Sequence, residues 1–176
     1  MKISKKTVRQ KEAEGEALQA FIMECEKRNI LTKEILKNLS NKKLIFTNAT
    51  VDANLKQAFS KFIQKGISNG EAFDSVVFCQ NNFTDEIFSQ ILDPLSMPDS
   101  KTKSLVSVKN TIGPKSLKSI LKIIQPQKQI FKEGFSNLQE LVLNDSKLLQ
   151  QKMMPQLISM LTVHCKNSLK VLGLAN

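Results

Sequence analysis

One short spacing of apolar residues returns five times along this chain and limits what it can fold into. In Leu138-Gln-Glu-Leu141-Val-Leu143 the first, fourth and sixth places are apolar, and the polar group Asn-Asp-Ser146 follows. The last eight residues, Leu169-Lys-Val-Leu172-Gly-Leu174-Ala-Asn176, echo it. In an extended chain Leu141 and Leu143 point to one side and Val142 to the other, so the spacing is that of a half-buried strand. The polar residues then turn the chain out of the strand, since their side chains hydrogen-bond backbone groups that the ended strand leaves unpaired. Anchored on the fourth place, the pattern recurs as Leu44-Ile-Phe46, Val76-Val-Phe78, Val106-Ser-Val108, Leu141-Val-Leu143 and Leu172-Gly-Leu174. The spacing predicts strands over 43–47, 75–79, 105–109, 140–144 and 171–175. Position eight of the units reads Asn48, Gln80, Asn110, Asp145 and Asn176, all polar. A period of 30 to 35 residues has room for one strand, one helix and two connections.

Between the strands the apolar period lengthens to that of a helix. Residues 52–65 place Leu55, Ala58, Phe59, Phe62 and Ile63 on one face. The next helix opens at Thr84 with Asp85 and Glu86 in its first turn, favourable to the helix dipole, and buries Ile87, Phe88, Ile91 and Leu92. A third helix, 113–124, opens on Pro114 and buries Leu117, Ile120, Leu121 and Ile124. Met153, Met154, Leu157, Ile158, Leu161 and Val163 are the expected core contacts of a fourth. Two helices, over 8–28 and from Thr32 to Leu39, precede the first strand. The expected organisation is a flexible basic arm (1–7), a helical segment covering the first strand (8–39) and five repeating units (40–176), the last ending after its strand.

The repeated Leu-x-x-Leu-x-Leu spacing, with a full helix after each strand, resembles the ribonuclease-inhibitor-like class of leucine-rich repeat proteins, over residues 40–176. Asn41, Phe73 and Lys103 stand where the first leucine of units one to three would be. The resemblance implies an α/β solenoid, or horseshoe, with a concave parallel sheet, outer helices and an N-terminal helical cap, used mainly to bind other proteins. The class includes tropomodulin-type, Ran GTPase-activating and ciliary axoneme proteins, so the expected setting is cytoplasmic, cytoskeletal or axonemal. On that scheme the concave face carries Lys43, Ile45 and Thr47; Ser75, Val77 and Cys79; Leu105, Ser107 and Lys109; Glu140, Val142 and Asn144; then Val171 and Gly173. Protein partners are expected at this face and at the uncapped C-terminal edge.

The formal charge of +10 raises a second reading. Residues 66–100 contain six acids and no Lys or Arg, whereas 101–135 contain eight lysines and one acid. A polyanion or RNA contact would use Lys101, Lys103, Lys109, Lys115, Lys118 and Lys122. Only two arginines occur, Arg9 and Arg28, both before the repeats, and Trp and Tyr are absent, which disfavours Arg forks and stacking platforms. The chemistry of an enzyme finds no foothold. His164 is the single histidine, phosphate-cradling glycine motifs are missing, and three distant cysteines (Cys25, Cys79, Cys165) support neither a disulfide framework nor a zinc site. The expectation is therefore a non-catalytic interaction module without cofactor, metal or membrane span. Its acids at Glu12, Glu14 and Glu16 argue against a mitochondrial presequence but leave a mature organellar protein open.

Overall fold

Strands with one apolar face each bury it by standing side by side beneath a shared layer of helices. A computed structural model of the chain has this arrangement; it describes residues 18–30, 42–49, 52–68, 73–97, 100–125, 137–145, 147–148 and 154–175. The elements are α1 (residues 18–26), β1 (Lys43–Thr47), α2 (Ala53–Ser68), β2 (Ser75–Cys79), α3 (Asp85–Leu92) with a 3-10 turn (Asp93–Ser96), and β3 (Ser104–Val108). Then follow β4 (Thr111–Ile112), α4 (Pro114–Ile124), β5 (Glu140–Val142), β6 (Lys147–Leu148), α5 (Met154–His164) and β7 (Val171–Gly173). β1, β2, β3, β5 and β7 form one parallel sheet in chain order, and β4 pairs with β6 in a second, two-stranded one. The expected arm, residues 8–17 of the expected first helix and the helix from Thr32 to Leu39 lie outside the described residues. The small sheet was not expected from the sequence, because two-residue strands carry no readable alternation.

Side-chain alternation sets the register. Leu44, Val76, Leu105 and Leu141 are consecutive partners across the sheet and are at most 1% exposed. The third strand lies one residue earlier than expected: its buried anchor is Leu105, not Val106. Leu105-Val-Ser-Val108 has apolar residues at both parities, so its own pattern cannot choose between them. The neighbours decide, since Ser107 beside Phe78 gains a buried hydrogen bond from Asn110 Nδ2 (2.9 Å). Leu105 and Ser107 are thus core residues, each 1% exposed, and Ser104, Val106 and Val108 take the opposite face.

The same shift aligns the strand ends. Asn48, Gln80, Lys109 and Asp145 all have left-handed backbone, with φ between 50° and 56°. This conformation costs an L-residue about 1–2 kcal/mol and turns the chain sharply out of the sheet. Each of these residues sends its N–H forward to the next unit: Asn48 to Cys79 O, Gln80 to Val108 O, Lys109 to Asn144 O and Asp145 to Ala175 O. The following column holds Ala49, Asn81 and Asn110, all buried. Asn81 Oδ1 accepts from Ala49 N (3.0 Å) while its Nδ2 donates to Phe46 O (2.9 Å). Asn110 repeats the arrangement one unit on, accepting from Asn81 N (2.9 Å) and donating to Phe78 O (3.0 Å).

The core beneath changes along its length. Phe46, Phe59, Phe78, Phe83 and Phe88 form a chain of ring contacts through the first two units, and Leu and Ile fill the later ones. α1 closes the edge beyond β1. Its Phe21 stacks on Phe62 (5.1 Å between centroids) and meets Phe46 and Phe59, and Cys25 is buried beside them. Arg28 then ties α1 to the start of α2 through Glu24 and Asp52. At the other end Leu157 and Leu161 of α5 are buried, but Ile158 and Val163, expected in the core, are 44% and 57% exposed. They lie off the stripe that Leu157 and Leu161 turn toward the sheet.

Replacing Asn110 with Ala leaves Phe78 O and Asn81 N buried without their partner. Urea denaturation should show a loss of about 2–4 kcal/mol, whereas Asn48→Ala, which removes no buried cross-unit side-chain bond, should cost about 1 kcal/mol or less.

Candidate protein-binding face

On the side of the sheet away from the helices, alternate residues of every strand remain half-buried or exposed. Cross-strand pairing assembles them into rows. The middle row is Ile45, Val77, Val106, Val142 and Gly173, each the direct partner of the next. The sequence placed Ser107 in this row; Val106 in its place makes the first four members β-branched and apolar. Thr47, Cys79 and Val108 form the row toward the strand ends. Lys43, Ser75, Ser104, Glu140 and Val171 form the row toward the strand starts. Two hydrogen bonds link that last row: Ser75 Oγ donates to Ser104 Oγ (3.2 Å), and Ser104 Oγ to Glu140 Oε2 (2.5 Å).

Of the residues expected on this face, Lys43, Ile45, Thr47, Ser75, Val77, Cys79, Glu140, Val142, Val171 and Gly173 occupy it. Leu105 and Ser107 do not, for the register reason above, and Lys109 belongs to the left-handed turn after β3. Asn144 is half-buried past the end of β5, where its Oδ1 accepts from Ala175 N (3.0 Å). Gly173 ends the middle row because space is short there. A Cβ would lie 2.9 Å from Asn144 Oδ1 and 3.0 Å from Val142 Cγ1.

The basic third unit does not present its six lysines together. Lys103 pairs with Asp74 (3.2 Å), Lys122 with Asp93 (3.4 Å) and Lys115 with Glu86. Lys115 is held above its usual range first by the Glu86 hydrogen bond and then by that carboxylate's charge. Lys101, Lys109 and Lys118 are exposed, before β3, after β3 and on α4 respectively. The acid-then-base alternation in the sequence is therefore spent largely between adjacent units.

Asp85 is the centre of this contact. It sits in the first turn of α3, yet its carboxylate serves α4, whose N-cap Gly113 has no side chain to offer. Asp85 Oδ1 accepts from Gly113 N (3.0 Å) and Ser116 N (2.8 Å), and Oδ2 accepts from Lys115 N (2.9 Å). Ser116 Oγ donates to Oδ1 as well (2.5 Å). Burial is the largest influence on the carboxyl and pushes it up. The bonds from the Ser116 hydroxyl and from the three backbone N–H groups together outweigh it and hold the group below its usual range. The sequence signal was a helix opening Gly113-Pro114 with no capping side chain of its own, which requires an acceptor from elsewhere.

His164 ends α5, half-buried, beside the buried Cys165. Among the described residues no three His, Cys, Asp or Glu side chains come together as a metal site, and no helix is long and apolar enough to cross a membrane. Comparison with protein-family models, curated proteins and solved structures found no match.

Because the Asp85 carboxyl is depressed in the folded state, its stabilisation is present above the unfolded value of about 3.9 and disappears as pH falls through the lower folded value. Asp85→Asn, which leaves one acceptor oxygen where the carboxylate offered two, should cost about 1–2 kcal/mol at pH 7 in chemical denaturation, with the difference from the parent shrinking below pH 4. Gly113→Ala should also destabilise at neutral pH, since the new methyl would meet Asp85 Cγ at 2.5 Å.

Proposed function

We propose that this chain is a leucine-rich-repeat solenoid of the ribonuclease-inhibitor-like kind, with α1 as part of its N-terminal cap. Its function on this reading is non-catalytic: it binds another protein across the open face of the sheet, as a structural or scaffold subunit of a larger assembly. A cytoskeletal or ciliary assembly is the setting that the resemblance favours. The sequential parallel strands, the single helical layer and the buried asparagines at the strand ends support the architecture. The observation that carries the function is the half-buried row Ile45, Val77, Val106 and Val142. Apolar groups left partly in water on four adjacent strands gain free energy when a partner covers them. The polyanion reading is the weaker one, because Lys103, Lys115 and Lys122 already have carboxylate partners.

The test is affinity purification of the parent chain and of Val77→Lys/Val106→Lys, followed by titration of the co-purified protein. Both substituted positions are half-buried, so the fold should persist, as judged by an unchanged far-ultraviolet circular dichroism spectrum. The expected result is at least a tenfold loss of affinity on the double substitution, with little change on Lys101→Glu/Lys118→Glu. Unchanged binding by the valine variant, together with salt-sensitive RNA or heparin binding lost on charge reversal, would replace this reading with the polyanion one.

A further inference from the structure

The open face offers its apolar side chains in a line that crosses the strands. Neighbouring strands stand about 4.8 Å apart, so the direct partners Ile45, Val77, Val106 and Val142 follow one another at that step over about 14 Å. Along any one strand the supply is shorter. The first residue that each strand turns to this face is polar: Lys43, Ser75, Ser104 and Glu140. A partner that uses the apolar line must therefore lie across the strands.

The step of that line selects a conformation. On one face of an extended segment successive side chains are about 6.6 Å apart, and they fall out of step with the strands at once. On a helix, rising about 1.5 Å per residue, positions i, i+3, i+7 and i+10 lie at about 0, 4.5, 10.5 and 15 Å. The four strands lie at about 0, 4.8, 9.6 and 14.4 Å, so every position is matched to within about 1 Å. The apolar stripe of such a helix is wider than one row. The row toward the strand ends, Thr47, Cys79 and Val108, lies beside the middle row and receives the rest of the stripe.

Charge sets which way the helix lies. On the side toward the strand starts Lys43 is exposed on β1, and Glu140 on β5 uses Oε2 to accept from Ser104 Oγ (2.5 Å). Neither forms an ion pair among the described residues. Between them Asp74 and Lys103, immediately before β2 and β3, pair with each other (3.2 Å). This side therefore ends in a positive charge at β1 and a negative one at β5. A helix turned end for end, its stripe still on the sheet, would carry its charged flank to the other side. Flank and charge order together admit one direction.

We propose that the open face takes an amphipathic helix of another protein, laid across β1, β2, β3 and β5. Its apolar residues at i, i+3, i+7 and i+10 cover the middle row, and its flank toward the strand starts places a carboxylate over Lys43 and a lysine or arginine over Glu140. This rests on the reading of the face as protein-binding, deepens it by naming the partner's form, and leaves β7 out.

The probes are alanine-based peptides of about 18 residues, long enough to hold helix, with Leu at i, i+3, i+7 and i+10. One carries Glu and Lys at opposite ends of one flank, and a second has the two exchanged. A third has the same composition with Leu at alternate residues. Titrated into the full chain, one helical peptide should bind at least fivefold more tightly than its exchanged form, with shifts at the Ile45, Val77, Val106 and Val142 methyl signals. The alternating peptide should bind at least tenfold more weakly. Lys43→Glu changes an exposed side chain and should erase the preference, and Lys43→Glu/Glu140→Lys should invert it, with unchanged circular dichroism spectra. Equal binding of the helical and alternating peptides, a charge preference unmoved by these substitutions, or no binding of any peptide (the result if another part of the chain already covers the face) would each overturn the helix. Should the co-purified partner still be lost on Val77→Lys/Val106→Lys, the protein-binding reading would stand without it; retention of that partner by the same variant would remove both.

Discussion

The structure depends on how each strand of the sheet ends. A parallel strand that stops must place its last amide and carbonyl groups, and burying them unpaired would cost more than the small net stability of a domain allows. Here the solution crosses between units. A left-handed residue sends its N–H to the next strand, and the buried asparagine after it in units two and three bonds backbone groups of the unit before. The conformational cost at Asn48, Gln80, Lys109 and Asp145 is thereby offset by contacts that also fix the register. Phe46, Phe78 and Leu141 can be core residues because the turns beyond them hold the strands in step.

Much of this was legible in the chain. In Leu44-Ile-Phe46, Val76-Val-Phe78 and Leu141-Val-Leu143 all three residues are apolar, but the flanking Lys43 and Thr47, Ser75, and Glu140 and Asn144 mark the middle parity as the open one; the first two strands formed where that pattern places them and β5 formed two residues shorter. The third strand failed the same test for a physical reason. Val106 and Val108 satisfy the spacing as well as Leu105 does, and a serine is an unusual occupant of a core column. Asn110 held the missing information. Aligning it with Asn81 instead of with Gln80 would have moved the strand by one residue. Leu105 and Ser107 would then have left the open face and Val106 and Val108 would have entered it.

The candidate face was readable as a set of alternating positions, but not as a surface. Its middle row became apolar across four strands only once the register was corrected. The lysines show the opposite limit. Their clustering in residues 101–135 is plain in the sequence, yet side-chain destination depends on the neighbouring unit, and composition carries no such distance information. Asp74, Glu86 and Asp93 lie about thirty residues away from Lys103, Lys115 and Lys122 and stand beside them in space. Nothing in either segment alone reveals that match.

The carboxylate of Asp85 has a consequence for how this architecture can change. Strand–helix units that follow one another along a parallel sheet are easily pictured as interchangeable bricks that can be duplicated, deleted or shuffled. Units two and three of this chain are not of that kind: one supplies the acid that completes the other's helix, and Gly113 is bare so that the acid can reach it. Duplicating unit three alone would create a helix start with no acceptor, and excising unit two would strand the original. Asp85 and Gly113 are thus matched across one seam, and separating the two units would cost the helix its only described side-chain cap.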